Sequence, residues 1–185
     1  MNNRKVYISG EIVPEVDAKI SIFDSAVLLG DTVTESTRTF NFKPFKLDEH
    51  LERLYKSFKL TRIDPQMTIE EMKKVSLELL EINKDNYKAN EDCWLVHNIS
   101  RGHSITGGNP ALQVSKPTVM IYTQPMNLVL WAPFYTKGCH AVTPPTRMVP
   151  SQSLDARIKN RSRLFYTLAE IEAKLVDPDA QSVIL

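Results

Sequence analysis

The sequence has little cysteine or histidine with which to bind a metal ion or form disulfide bonds. Among its 185 residues are two cysteines, Cys93 and Cys139, and four histidines. The cysteines form no C-x-x-C pair and the histidines form no H-E-x-x-H motif, which are spacings typical of metal and redox sites. We therefore expect neither a catalytic metal nor a disulfide scaffold.

The sequence also lacks an excess of charge of one sign and any long apolar run. Its 23 Lys and Arg residues against 22 Asp and Glu give a formal charge of +1, which argues against a surface built to bind nucleic acid. No apolar run approaches the roughly 18 residues that span a bilayer. The polar segment from Met1 to Lys5 is not followed by the apolar core of a signal peptide. We expect a cytoplasmic protein with no nucleic-acid partner and no membrane partner.

The first part of the chain has the alternating pattern of strands. Short strands are predicted near residues 6–8 and 20–22, with a turn at residues 10–11 between them. A longer strand, rich in Thr and Val, is predicted from Thr32 to Phe40. These stretches are typical of an antiparallel meander. Later strands are predicted at residues 94–99, 118–123, 138–142 and 182–185.

A first helix is predicted after Asp48, which is a favourable N-cap residue. One side of this helix carries His50, Arg53 and Ser57 at positions i, i+3 and i+7, so these polar side chains should point in one direction. The neighbouring side is an apolar stripe that we expect in the core. Its members are Leu47, Leu51, Leu54 and Phe58.

Two more helices complete the pattern. One begins with a capping box formed by Thr68 and Glu71, and the other runs from near Asn160 to Val176. The order of the elements predicts an α+β fold with an N-terminal two-layer domain at residues 1–130.

The start of a second domain is predicted at residues 131–185, after a linker at about 126–137. Some fifty residues are near the lower limit for an independent core. A strand at residues 182–185 also needs a neighbour with which to pair. We therefore expect a C-terminally truncated part of a longer protein, or a domain that other chains complete.

Three blocks of the sequence carry chemistry. Residues 22–38 contain Asp24, Gly30-Asp31 and an E-x-x-R motif, residues 47–54 contain H-L-x-R-L, and the third block is Ile158-Lys159-Asn160. In this order and spacing the blocks resemble the class IV, or fold-type IV, aminotransferases. That family uses pyridoxal 5′-phosphate and includes branched-chain and D-amino-acid aminotransferases, (R)-amine transaminases and aminodeoxychorismate lyase. The resemblance covers nearly the whole chain.

The resemblance implies roles for two of these residues. Lys159 would form a Schiff base with the aldehyde of pyridoxal 5′-phosphate and then move a proton between the substrate carbon and the cofactor. Arg53 would bind the cofactor phosphate, for which a guanidinium group is a good bidentate donor. The residue types alone leave other interpretations open. A lysine before a helix is commonly solvated, and Arg53 could form a surface salt bridge with Glu49 or Glu52.

The substrate pocket is expected around Thr34, Arg38 and Arg101. Alternation puts Thr34 and Arg38 on one side of their strand, and the resemblance puts them in or beside the pocket. The family usually has an aromatic residue at the position of Thr34, so its substrate preferences do not carry over. Arg101 belongs to a segment similar to the family's T-R-G turn, where it either lines the pocket or fixes the loop. The residues that follow, 103–108, contain no arginine and so lack the carboxylate trap of D-amino-acid aminotransferases.

Further charged residues lie close to these positions. Asp31 and Glu35 should face the other side of the strand and are expected to hold the turn and a subunit contact. A cation near Lys159 would lower the pKa of its amine, although such side chains at a helix start are often only solvated. The candidates for that cation are Arg157, Arg161 and Arg163.

The resemblance as a whole implies a homodimeric aminotransferase that transfers an amino group from an amino acid or amine to a 2-keto acid. An acidic partner for the cofactor's pyridine nitrogen and part of the phosphate site would lie beyond Leu185. Three alternatives remain open: a lyase of the aminodeoxychorismate type, a non-catalytic dimerisation or ligand-binding module, and an inactive fragment.

Overall fold

The computed structural model describes residues 3–88, 91–103 and 116–185. Residues 104–108, which follow the turn at Arg101, lie outside the described residues. The chain forms two compact units, one of Met1–Met126 with Arg157–Arg161 and the other of Asn127–Ala156 with Ser162–Leu185. The division into residues 1–130 and 131–185 stays a prediction.

The first unit is built on a six-stranded antiparallel sheet with strand order β2-β1-β6-β5-β3-β4. The strands are β1 (Lys5–Ile8), β2 (Glu11–Pro14), β3 (Thr32–Phe40), β4 (Lys43–Pro44), β5 (Cys93–Ser100) and β6 (Thr118–Pro125). The helices are α1 (Ser25–Leu29), α2 (Leu47–Thr61) and α3 (Ile69–Asn83). The sheet and helices form the α+β arrangement that the sequence predicts.

The core of this unit lies between one face of the sheet and the two long helices. Because side chains alternate along a strand, β3 turns Val33 toward the helices and Thr34 toward the opposite face. The helices contribute the apolar stripe predicted for α2 and a matching side of α3. The fully buried members of this core include Val33, Leu51, Leu54, Met72, Leu79, Leu95, Ile99 and Ile121.

The second strand of the sheet is not where the sequence predicts it. Residues 20–22 form no strand, and β2 instead follows β1 after a two-residue turn. Ser9 (φ 46°) and Gly10 (φ 113°) both have positive φ, which is the conformation that a tight two-residue hairpin requires. Ile22 is left exposed.

The prediction of Asp48 as the N-cap of α2 is wrong. The helix begins at Leu47 after Lys46, which has a left-handed conformation and no capping side chain. Asp48 instead lies in the first turn, where its charge interacts favourably with the helix dipole, and it pairs with Lys73 at 2.6 Å. For α3, the predicted capping box between Thr68 and Glu71 is confirmed.

The second unit contains a β-α-β arrangement in which two strands are parallel. Its elements are α4 (Leu128–Trp131), α5 (Phe134–Lys137), β7 (His140–Val142), α6 (Leu164–Val176) and β8 (Ala180–Val183). Residues 126–137, predicted as a linker, thus contain two short helices. The last helix begins at Leu164 and not near Asn160, because Asn160 forms an isolated bridge with Val33 of β3. None of the described helices is both long enough and apolar enough to cross a membrane.

A substitution that creates a cavity in the core of the first unit should lower its free energy of unfolding. Leu54 is fully buried on α2, whereas Leu60 on the same helix is 41% exposed. We expect Leu54→Ala to lower the free energy of unfolding by about 3 kcal/mol, because it removes apolar contacts and leaves a void. Leu60→Ala is the matched control and should cost less than about 1 kcal/mol. Urea denaturation of both variants measures the difference, and equal losses would contradict the packing described here.

Candidate active site

The backbone at Lys159 is held against the outer edge of β3. The N–H of Thr34 donates to the carbonyl oxygen of Lys159 at 2.8 Å, and the N–H of Arg161 donates to the carbonyl of Thr32 at 2.9 Å. The N–H of Lys159 itself donates to the hydroxyl of Ser57 on α2, at 3.3 Å. Lys159, which is half-buried, therefore has its main chain fixed by a strand on one side and a helix on the other.

Arg53 lies one turn before Ser57 on the same side of α2, and its guanidinium pairs with Glu35 of β3. The Nε–H donates to Glu35 Oε2 and an Nη2–H donates to Oε1, both at 2.7 Å. The partner is therefore neither Glu49 nor Glu52, the two suggested by helical spacing. The Glu35 side chain is fully buried, while that of Arg53 is 51% exposed.

Glu35 is ionised in spite of its burial. Burial by itself raises the pKa of the carboxyl, but the hydrogen bonds outweigh it, so the pKa lies below its ordinary value. The donors are Arg53, the N–H of Ser36 at 2.8 Å and Nδ1–H of His50 at 3.0 Å. The same bond to Glu35 raises the pKa of Arg53. The pair is a fixed charge centre between β3 and α2.

His97 of β5 is the residue directly opposite Glu35 in the sheet and is fully buried. Its Nε2 lies 2.8 Å from the hydroxyl of Ser76, and that hydroxyl donates its one proton to the carbonyl of Met72. The hydroxyl can therefore only accept from His97, which puts the proton of the neutral ring on Nε2. Among the described residues, Nδ1 has no hydrogen-bond partner. Burial, opposed by the charge of Glu35, lowers the pKa of His97 to about 4.

Protonation of His97 should destabilise the protein in mild acid. The ordinary pKa of 6.5 applies in the unfolded chain and about 4 in the folded one, so the unfolded state binds the extra proton first as the pH falls. Above pH 6.5 His97 does not lower the free energy of unfolding. Between pH 6.5 and pH 4 its protonation lowers this free energy by about 3 kcal/mol.

The measurement is the free energy of unfolding of the wild type and of His97→Gln at a series of pH values. The variant should lack this part of the pH dependence, whereas His140→Gln, at an exposed position, should keep it. Parallel curves for the wild type and His97→Gln would contradict the buried neutral imidazole.

Thr34 and Arg38 lie on the face of β3 that points away from the helices, together with their cross-strand partners on β5. The Thr34 hydroxyl is fully buried and donates to the carbonyl oxygen of His97 at 3.0 Å. The Arg38 guanidinium carbon lies 3.8 Å from the ring centroid of Phe40. Thr34 is thus adjacent to the Lys159 backbone, whereas Arg38 stacks on a ring at the far end of the strand.

Arg101 binds groups at the start of β3 and the end of α2. Its Nε–H donates to Asp31 at 2.8 Å, and its Nη groups donate to the carbonyl oxygens of Thr61 and Arg62, both at 2.9 Å. Carbonyls at a helix C-terminus lack partners within the helix, so a guanidinium there is favourable. Next to it, Gly102 has φ 95°, and a Cβ there would clash with the carbonyl of Lys116. These contacts fix the turn that leaves β5.

The predicted residues fall into two sets. A ring of hydrogen bonds and chain neighbours joins Thr34, Lys159, Ser57, Arg53 and Glu35, in which Ser57 follows Arg53 by one turn of α2 and Glu35 follows Thr34 in β3. The described contacts of Arg38 and Arg101 lie outside this ring.

The partners Glu35 and Ser57 were not predicted as site residues. Both could have been noticed in the sequence, since Glu35 interrupts the inward side of a strand and Ser57 lies one turn from Arg53. No sequence pattern marks His97 in this way, because a single histidine in a strand does not indicate which groups its ring contacts.

Comparison with known proteins identifies the family. The model of the family described as amino-transferase class IV matches residues 32–185. A Methanocaldococcus jannaschii protein assigned as a branched-chain-amino-acid aminotransferase is 35% identical over 175 residues, which is 95% of this chain and 57% of that protein. The D-alanine aminotransferase of Staphylococcus epidermidis is 32% identical over 120 residues, or 65% of this chain and 41% of that protein. The chain belongs to the class IV aminotransferase family.

The solved structures give the same fold. The T.th. branched-chain amino acid aminotransferase, crystallised with pyridoxamine 5′-phosphate, matches with a TM-score of 0.82 and 23% identity. The match covers 100% of this chain and 59% of that chain. The predicted fold-type IV architecture is confirmed, and the matches cover somewhat more than half the length of the Methanocaldococcus jannaschii and T.th. proteins.

Proposed function

We propose that the protein works as a pyridoxal 5′-phosphate-dependent aminotransferase, with Lys159 as the residue that binds the cofactor and Arg53 as the anchor of its phosphate. The observation that carries this proposal is that, in a class IV chain, the Lys159 main chain is bonded to Ser57, one turn of α2 after Arg53. The chemistry transfers an amino group from an amino acid or amine to a 2-keto acid.

The donor set fits the cofactor. Glu35 occupies Nε and one proton of Nη2 on Arg53, and none of the other described residues takes a hydrogen bond from Nη1. Half of the Arg53 side chain is exposed, so this edge can reach a phosphate. A lysine amine is the group that condenses with an aldehyde. Arg53 therefore matches the phosphate of the cofactor, and Lys159 matches its aldehyde.

In the proposed mechanism the cofactor, when bound, supplies an electron sink for the electrons of the broken C–H bond. Lys159 would hold the cofactor through Nζ, and the same amine, when free, would carry a proton to and from the substrate carbon. The two main-chain hydrogen bonds at Lys159 limit the positions that Nζ can sample. Arg53 holds the phosphate so that the reacting carbon stays within reach.

The pocket residues have unequal parts in this proposal. Thr34 is fully buried beside the Lys159 backbone, and its hydroxyl is already bonded to the His97 carbonyl, so it supports the Lys159 segment and offers the substrate no hydrogen-bonding group. Arg38 offers a cation for a substrate carboxylate further along the strand. Arg101 fixes the turn after β5 and acts on the pocket only through that turn.

We propose amino acids as donors and 2-keto acids as acceptors, because the relatives are assigned to branched-chain amino acids and D-alanine. We further propose a homodimer, since residues 22–29 expose several large apolar side chains for which a second copy is a fitting partner. These are Ile22, Phe23, Val27, Leu28 and Leu29. A cytoplasmic location stays a prediction.

The experiment that tests the function is a single-turnover assay. The 185-residue chain is loaded with pyridoxal 5′-phosphate and mixed with L-leucine or D-alanine in the absence of an acceptor. We expect up to about one equivalent of the matching keto acid per chain, since each cofactor accepts one amino group. No keto acid above that formed by free cofactor, with either donor, would contradict the proposal for this chain and favour the alternative of an inactive fragment.

A further inference from the structure

Glu35 is a charged residue at a position where the alternation of side chains along a strand predicts an apolar residue. It lies on the inward side of β3 among core residues, and its side chain is fully buried. A buried carboxylate is costly unless its oxygens are satisfied. Here Oε2 accepts from Arg53, and Oε1 accepts from Arg53, His50 and the N–H of Ser36. Such a fully satisfied group fixes the geometry of whatever it binds.

The two bonds to Arg53 fix the plane of its guanidinium. Two parallel N–H donors on one carboxylate, both at 2.7 Å, leave a planar group little freedom to rotate. Without them, a half-exposed arginine side chain would sample several rotamers. The edge of Arg53 that carries Nη1 is thereby presented away from Glu35.

The residue opposite Glu35 in the sheet does not compete with Arg53 as a charged partner. His97, which is opposite Glu35 in the sheet, is neutral because Ser76 accepts its Nε2 proton and because burial disfavours a second one. Among the described residues, Arg53 is thus the one permanently charged partner of this carboxylate.

We infer that Glu35 is a positioning residue that orients Arg53 toward the phosphate of the cofactor. The inference rests on the proposed function and adds to it a residue that touches neither cofactor nor substrate. Its role is to pre-organise the anion site before the cofactor arrives, so that binding does not have to order the arginine.

The test compares the affinities of two ligands that differ only in the phosphate. Pyridoxal 5′-phosphate and pyridoxal both condense with a lysine, and absorbance titration gives each dissociation constant for the 185-residue chain. In Glu35→Gln we expect the affinity for pyridoxal 5′-phosphate to fall roughly tenfold, because an orienting charge-assisted pair is replaced by a weaker neutral contact. The affinity for pyridoxal should change less than about twofold, since Arg53 acts on the phosphate alone. A merely structural role would weaken both ligands alike and would overturn the inference.

Control variants distinguish the positioning role of Glu35 from the proposed phosphate-binding role of Arg53, on which it rests. Glu49→Gln, an exposed carboxylate on the same helix, should leave both affinities unchanged. In an Arg53→Lys background, Glu35→Gln should have no further effect on phosphate selectivity, because Glu35 acts through the guanidinium. If the preference for pyridoxal 5′-phosphate over pyridoxal is lost in Arg53→Lys but retained in Glu35→Gln, then Arg53 binds the phosphate and Glu35 does not position it. If Arg53→Lys leaves the selectivity unchanged, the phosphate anchor fails and the inference fails with it.

A wild-type measurement avoids the risk that Glu35→Gln does not fold. In an NMR spectrum of the ¹⁵N-labelled protein, the Nε–H of Arg53 should exchange slowly with water, since the carboxylate holds it. Inorganic phosphate should shift the Nη1 resonance of Arg53 and leave Nε protected. Fast exchange of Nε–H would overturn the inference, and so would loss of its protection on adding phosphate.

Discussion

Lys159→Ala is expected to abolish covalent attachment of pyridoxal 5′-phosphate and to lower amino transfer by at least about a thousandfold, as removal of a covalent nucleophile does in other enzymes. The variant lacks the amine that bonds to the cofactor and the amine that carries the proton, and these are the same atom. The visible absorbance band of the bound cofactor and the release of keto acid measure the two losses.

The matched control is Lys56→Ala, which removes an exposed lysine of α2 that lies 3.9 Å from Glu52. It should leave the band and the keto acid unchanged. An undiminished band in Lys159→Ala, with the fold intact by circular dichroism, would show that another lysine binds the cofactor.

Arg53→Ala is expected to lower both the affinity for pyridoxal 5′-phosphate and the stability of the protein. The variant removes the charged donor to the phosphate and also leaves the buried Glu35 with His50 and Ser36 as its remaining partners. We expect a loss of about 3 kcal/mol in the free energy of unfolding, at the low end for a broken buried pair because Arg53 is half exposed. Denaturant unfolding of the chain without cofactor isolates the stability effect.

The pH dependence of this loss identifies its cause. Arg53 keeps the pKa of Glu35 below the ordinary value of 4.5, so the stability from the pair is present above pH 4.5 and is lost below it, as Glu35 becomes protonated in the fold. The difference between wild type and Arg53→Ala should therefore shrink as the pH falls through this range. The double variant Arg53→Ala/Glu35→Gln should recover part of the loss at neutral pH, since no unpaired carboxylate remains. A loss that does not vary with pH would contradict the ion pair.

The parts of the fold that could be predicted are those with a local signal. The β-branched run of β3 and the reciprocal hydrogen bonds between Thr68 and Glu71 depend on neighbouring residues alone. The second strand could not be placed, because the alternation near residue 20 resembles that of β2. The turn that decides between them depends on positive φ at Ser9. The start of α6 was misplaced because Asn160 is held by a strand more than a hundred residues earlier.

Part of the candidate site could also be predicted from the sequence, and part of it needed the structure. The helix periodicity of α2 predicts that His50, Arg53 and Ser57 share a side, and in the structure all three reach toward β3 and the Lys159 segment. Which groups they meet depends on the sheet, so Glu35 as the partner of Arg53 needed the structure. The family resemblance located Lys159, whereas its two backbone hydrogen bonds arise from contacts distant in sequence.

The measurement that tests the central claim most directly is reduction of the cofactor-loaded chain with borohydride, followed by mass spectrometry of the proteolytic peptides. Reduction makes the bond between cofactor and lysine permanent, so the labelled residue reports where the cofactor was bound. The account predicts one label per chain, confined to Lys159, and its loss when excess inorganic phosphate competes for Arg53. Labels spread over exposed lysines, or confined to a different lysine, would contradict it.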